Sequence, residues 1–261
     1  AGDHSPFTEE LLRWIKEPGL SIEQVFKRVR RDVLRKTDNE QQPWDSSSLT
    51  EEFYFTPLED SEAPVIADDN FDEAFKYFST AMELSDREEY DEAIVLFSKV
   101  IEISPGFAEA YKERGTIYIK KKDFNKSIDD LDKAIELKPD FAAAYNNRGI
   151  VYSILGEHET ALTDFNKALD IDAGFLKSYN NKARLFQLLG DHTAAFEVYA
   201  KALEINPHYA PAYNNRGLLH FKQKEYLKAV EDYSRAIQND AMYAEAYHNR
   251  GVAYYYMNRN E

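Results

Sequence analysis

Four asparagines stand at one spacing in the second half of this chain: Asn147, Asn181, Asn215 and Asn249, each 34 residues after the last. An Asn amide both donates and accepts hydrogen bonds, so a row of them can pair with an extended backbone without reading its side chains. Lys112 and Lys177 lie near the same row and add positive charge. The chemistry to expect is therefore recognition, with these six residues as a peptide-binding set. Catalysis finds less support. The chain has no cysteine, so it has no thiolate nucleophile, thiolate metal site or disulfide. His158, His192, His208, His220 and His248 show no metal-ligand spacing. No catalytic residue, metal or cofactor is expected in this chain.

The spacing belongs to the whole region. From about residue 74 onward, Tyr77, Tyr111, Tyr145, Tyr179, Tyr213 and Tyr247 recur with the same period. A small residue follows four places later at Ala81, Gly115, Gly149, Ala183, Gly217 and Gly251. A second small position, an apolar or aromatic one and a third small one follow, as in Ala161, Phe165 and Ala168. Pro105, Pro139 and Pro207 close three copies. Each copy reads as two amphipathic helices, A and B, with Pro ending helix B. One copy cannot bury its own apolar face, but stacked copies share a core and curve around a groove lined by A helices.

This pattern resembles the tetratricopeptide repeat family over residues 74–261: full copies at 74–107, 108–141, 142–175, 176–209 and 210–243, and a partial one at 244–261. The expected fold class is predominantly all-α, a right-handed superhelical solenoid. The resemblance implies a protein or peptide ligand in the groove. The Asn row resembles the asparagine ladder in the repeats of O-GlcNAc transferase. A second likeness is to the carboxylate clamp of chaperone-binding repeats: Lys112, Asn147 and Lys177 match it, while Thr116 and Asn181 depart from it. Because the last copy stops before its helix B, further repeats are expected to follow.

Residues 1–56 lack the period. Ser5-Pro6 reads as a helix start and Pro18-Gly19 as its end. Ser21 and Gln24 form a capping box before a second helix, whose basic residues read as a solvated face. Phe53-Tyr54-Phe55 reads as a lone strand, which needs a sheet to receive it. The runs SPFTEELLRWI, PGLSIEQVFKRVRRDV and QQPWDSSSLTEEFYF resemble the C-terminal, small-subunit part of bacterial caspase-like (metacaspase-like) cysteine peptidases, an α/β domain. The resemblance implies a parent endopeptidase, and a large-subunit polypeptide upstream that carries the catalytic His and Cys; neither has a counterpart here. This chain alone is thus expected to be inactive. Residues 57–73 read as an acidic linker and the start of the first helix.

The net charge of −15 makes nucleic acid an unexpected partner. No apolar run is long enough for a membrane span, and a cytoplasmic location is expected. Two other readings stand beside the peptidase: a non-enzymatic interaction scaffold with an inert peptidase remnant, and a carboxylate-clamp co-chaperone.

Overall fold

A computed structural model describes residues 69–258, together with Arg13. The expected helices and strand of residues 1–56 lie outside these described residues. Within them the chain forms eleven helices and no strand. The first, α1 (Asp69–Asp86), begins inside the stretch read as linker and helix start. Then come α2 (Tyr90–Ile103), α3 (Ala108–Lys121), α4 (Phe124–Leu137), α5 (Ala142–Leu155), α6 (His158–Ile171) and α7 (Leu176–Leu188). The last four are α8 (His192–Ile205), α9 (Ala210–Lys222), α10 (Tyr226–Asn239) and α11 (Ala244–Asn258). Odd-numbered helices are A helices and even-numbered ones B helices.

Local sequence explains the joints. Each A-to-B turn passes through one left-handed residue: Glu88, Lys122, Gly156, Gly190 and Lys224, with φ of 62°, 60°, 83°, 80° and 64°. At Lys122 the turn closes with Lys122 N–H donating to the Ile119 carbonyl and Asp123 N–H to that of Tyr118, the double bond of a Schellman stop. Asp123 and Asp191 then cap α4 and α8, accepting from the backbone N–H of Lys126 and Ala194. Helix B ends where expected: the caps Ser104, Lys138 and Asn206 leave helical geometry just before Pro105, Pro139 and Pro207.

Small residues bring the helices together. A Cβ on Gly149 would lie 2.8 Å from the Phe165 ring, and one on Gly217 2.9 Å from the Tyr233 ring. Ala93, Ala161, Ala195 and Ala229 are fully buried at the facing position. Ser127 takes that place in α4, and its hydroxyl donates to the Gly115 carbonyl at 2.8 Å, so a buried polar atom is satisfied. Phe97, Leu131, Phe165, Tyr199 and Tyr233 fill the space between the helices of each pair.

From α3 to α11 the backbones of successive A helices approach within 8 Å, whereas those of successive B helices do not. A stack that is tighter on one side must curve toward it. The A helices therefore line the inner, concave face and the B helices the outer one.

Burial holds the phenols of Tyr199 and Tyr233 well above the ordinary value of 10.0. A raised phenol stabilises the fold fully below the unfolded-state pKa, and that contribution is lost as pH rises toward the folded-state one. The urea midpoint is expected to fall steeply only above about pH 10, with a fraction of the phenolate absorbance appearing only on unfolding. Phenolate absorbance that develops fully before any loss of helix would contradict this.

Candidate functional site

The four asparagines all sit on A helices, one repeat apart, and all are half-buried. Each amide N–H₂ group reaches back to the preceding A helix. Asn147 donates to the Thr116 hydroxyl at 2.9 Å. Asn181 donates to the side-chain carbonyl of Asn146 at 2.9 Å, Asn215 to that of Asn180 at 2.8 Å, and Asn249 to that of Asn214 at 3.1 Å. Asn146, Asn180 and Asn214 immediately precede the ladder residues, and sequence reasoning passed over them. The Asn-Asn doublet in α5, α7 and α9 was the available signal. The ladder thus ties repeat to repeat. Each amide still holds a second N–H and an oxygen with spare lone-pair capacity.

The other candidates differ in their surroundings. Lys112 pairs with Glu113 beside it, on α3, and lies 5.8 Å from the centre of the Phe141 ring. Lys177 is exposed and has no ion pair among the described residues. The carboxylate-clamp positions are therefore partly engaged within the protein: Lys112 with Glu113, and Asn147 with Thr116.

A second periodic set was missed altogether. One residue after the ladder asparagines stand Arg148, Lys182, Arg216 and Arg250, with Arg114 at the same repeat position after Glu113. Arg114 grips Asp130, Arg148 grips Asp164 and Arg216 grips Asp232, each through two parallel bonds of 2.7–2.8 Å. The three carboxylates are buried, at 8%, 4% and 7% side-chain exposure. Such bidentate pairs fix geometry as well as charge. Hydrogen bonding to Asp164 and Asp132 pushes the Arg148 guanidinium further above its already high range, against the opposing effect of burial. Most of these cations also reach back 16 residues to the previous B helix: Arg114 to Ser98, Arg148 to Asp132, Lys182 to Asn166 and Arg250 to Ser234. The fourth repeat is irregular. It carries Lys182 and Val198 where its neighbours carry Arg and Asp, and Arg216 finds Ala200 where the others find a polar partner. The signal in the sequence was an Asp 16 residues after Arg114, Arg148 and Arg216, at a position otherwise on the buried face.

The histidines take structural places. His158 and His192 open α6 and α8 instead of lying in the turns before them. The His220 ring packs at a tilt against Phe196, centres 4.6 Å apart, and its Nδ1 meets Glu225 at 2.6 Å. Among the described residues no group of His, Asp or Glu could hold a metal ion. No helix among them is long and apolar enough to cross a membrane.

Helix pairs stacked in register, with small residues at the crossings and A helices inside, define a helical-repeat solenoid. Its fold is that of tetratricopeptide-repeat arrays. Family models described as tetratricopeptide or TPR repeats match residues 115–153, 140–207 and 210–241. A model described as the caspase domain matches residues 1–54. Solved structures with the same fold include a thermophilic TPR protein of Thermus thermophilus, 16% identical with a TM-score of 0.62, over 69% of this chain and 98% of that one. Pseudomonas aeruginosa pilF is 18% identical with a TM-score of 0.60, over 72% and 90%. A tetratricopeptide repeat protein from Parabacteroides merdae is 18% identical with a TM-score of 0.56, over 72% and 75%. No curated protein matches the chain.

Proposed function

We propose that the repeat array is a docking module that holds an extended peptide segment of a partner protein against the Asn ladder. The carrying observation is the row of half-buried amides on the inner face, each with hydrogen-bonding capacity left after its bond between repeats. Residues 1–56 would be the small-subunit part of a caspase-like cysteine endopeptidase, a reading supported by the caspase-domain match over residues 1–54. The upstream large-subunit polypeptide would bring the His and Cys this chain lacks, and the array would recruit a substrate, activator or regulator to that enzyme. An inert remnant on an interaction scaffold is the competing reading.

The ladder's structural bonds require a matched control. Asn215→Ala and Asn180→Ala each remove the same bond between α7 and α9, but only the first removes the ladder amide. Both are expected to lose a similar amount of stability, about 1 kcal/mol. Only Asn215→Ala is expected to weaken peptide binding severalfold, measured by titration calorimetry with the partner's segment. Equal affinities for the two variants would end the ladder reading.

A further inference from the structure

The protein is strongly acidic, with 47 Asp and Glu against 32 Lys and Arg. Yet α5, α7 and α9, the three central helices of the inner layer, contain no Asp or Glu at all. They do contain cations. Arg148 and Arg216 are neutralised by Asp164 and Asp232 on the B helices, and Lys182 is held by Asn166. Lys177, Arg184 and Lys222 are exposed and make no ion pair among the described residues. The acids of the inner layer lie toward its ends, as at Glu113 on α3 and Glu245 on α11.

The free cations are arranged about the ladder. Lys177, Asn181, Arg184 and Leu188 follow at steps of four, three and four residues, which puts them on one face of α7. The Asn181 bond to Asn146 on α5 sets that face toward the inner side of the stack. Across the groove, Arg184 stands between Ile150 and Leu218 at the same repeat position of α5 and α9, so no carboxylate adjoins it in the layer. Leu188 and Ile154 also share a repeat position. They are 67% and 54% exposed, side by side, with Lys222 next in the row. An exposed apolar pair bordered by unpaired cations favours one kind of ligand by charge and by burial.

We propose that the middle of the groove selects an extended peptide that lays an apolar side chain over Ile154 and Leu188 and sets acidic side chains toward Lys177, Arg184 and Lys222. This specificity rests on the groove being a peptide site. The partner segment is thus acidic and apolar, although the protein that receives it is itself acidic.

The test uses the full chain and three fluorescein-labelled, capped dodecapeptides in a Ser/Thr background: one with a central Leu flanked by Asp, one with Lys replacing Asp, and one with Ser replacing Leu. Anisotropy at low salt is expected to show the Asp–Leu probe binding about tenfold more tightly than either of the others. The variant K177E/R184E changes two exposed residues and should fold normally. It is expected to reverse the preference toward the Lys probe. Equal binding of the Asp and Lys probes, or a preference that the variant leaves unchanged, overturns the charge selection; if Asn215→Ala still weakens those probes, the groove reading survives alone. Equal binding of the Leu and Ser probes removes the apolar contact. Failure of all three to bind ends both readings.

Discussion

Asp164→Ala is expected to destabilise the array by about 3 kcal/mol, the largest effect of any single substitution considered. Asp164 is 4% exposed and accepts hydrogen bonds from Nε–H and one terminal N–H group of Arg148. Removing it strands a half-buried guanidinium whose remaining partner, Asp132, is on the rim at 51% exposure. The cost is that of a charge left without its counter-ion, more than that of the pair itself. Replacing both partners by apolar residues, Arg148→Met with Asp164→Leu, is therefore expected to recover most of the loss. Urea titrations followed by far-ultraviolet circular dichroism check both statements. A double variant as unstable as Asp164→Ala would mean that geometry, not uncompensated charge, is what the pair supplies.

The second large effect is a change of sign at one repeat position. Ala has the higher helix propensity, so Gly→Ala inside a helix ordinarily gains about 1 kcal/mol. At Gly149 the new methyl would lie 2.8 Å and 3.0 Å from two atoms of the buried Phe165 ring and 3.2 Å from the Ala161 carbonyl. Overpacking of this kind costs about 1–3 kcal/mol, so Gly149→Ala is expected to be a net loss. Gly251, on α11, occupies the same place in its repeat, and a methyl added there would meet nothing within 4 Å. Gly251→Ala should keep the whole propensity gain. Thermal melts of the two variants should shift in opposite directions; a shared direction would show that the close approach of helices A and B is not what requires glycine.

The architecture was legible in the sequence because its cause is periodic. The tyrosines, small residues and prolines mark helix faces and ends, and the helix boundaries follow them: Pro105, Pro139 and Pro207 each lie two residues past the end of a B helix. The left-handed turns were only half visible. Gly156 and Gly190 announce them, but Glu88, Lys122 and Lys224 hold the same conformation with ordinary side chains, because the flanking helices impose it. The ladder asparagines were found as a row, while their bonds to Thr116, Asn146, Asn180 and Asn214 were not, since these depend on how far apart successive A helices lie. The Arg–Asp pairs stayed hidden because an Asp on a B helix reads as solvated until the packing places it inside. The charge of the groove was hidden for a similar reason: a sum over the chain says nothing of three neighbouring inner helices, α5, α7 and α9, without a carboxylate.

The missing tether at Ala200 gives the array a seam. In a one-dimensional stack each unit leans only on its neighbours, so a weak joint is not reinforced from afar. Between the fourth and fifth repeats Arg216 makes no bond back to the preceding B helix, where Ala200 stands, and the fourth repeat also lacks its own Arg–Asp pair, with the Tyr199 hydroxyl buried without a partner. There the polar joining falls to Asn215 and Gln187 on the inner wall and to His208, whose Nδ1 meets Asn239 at the end of α10 at 2.7 Å. Strain applied to the solenoid is expected to collect at that line, with its two halves as stiffer pieces on a shared crease. The crease runs between α7 and α9, beside Arg184, so a segment lying across the groove there would act as a splint.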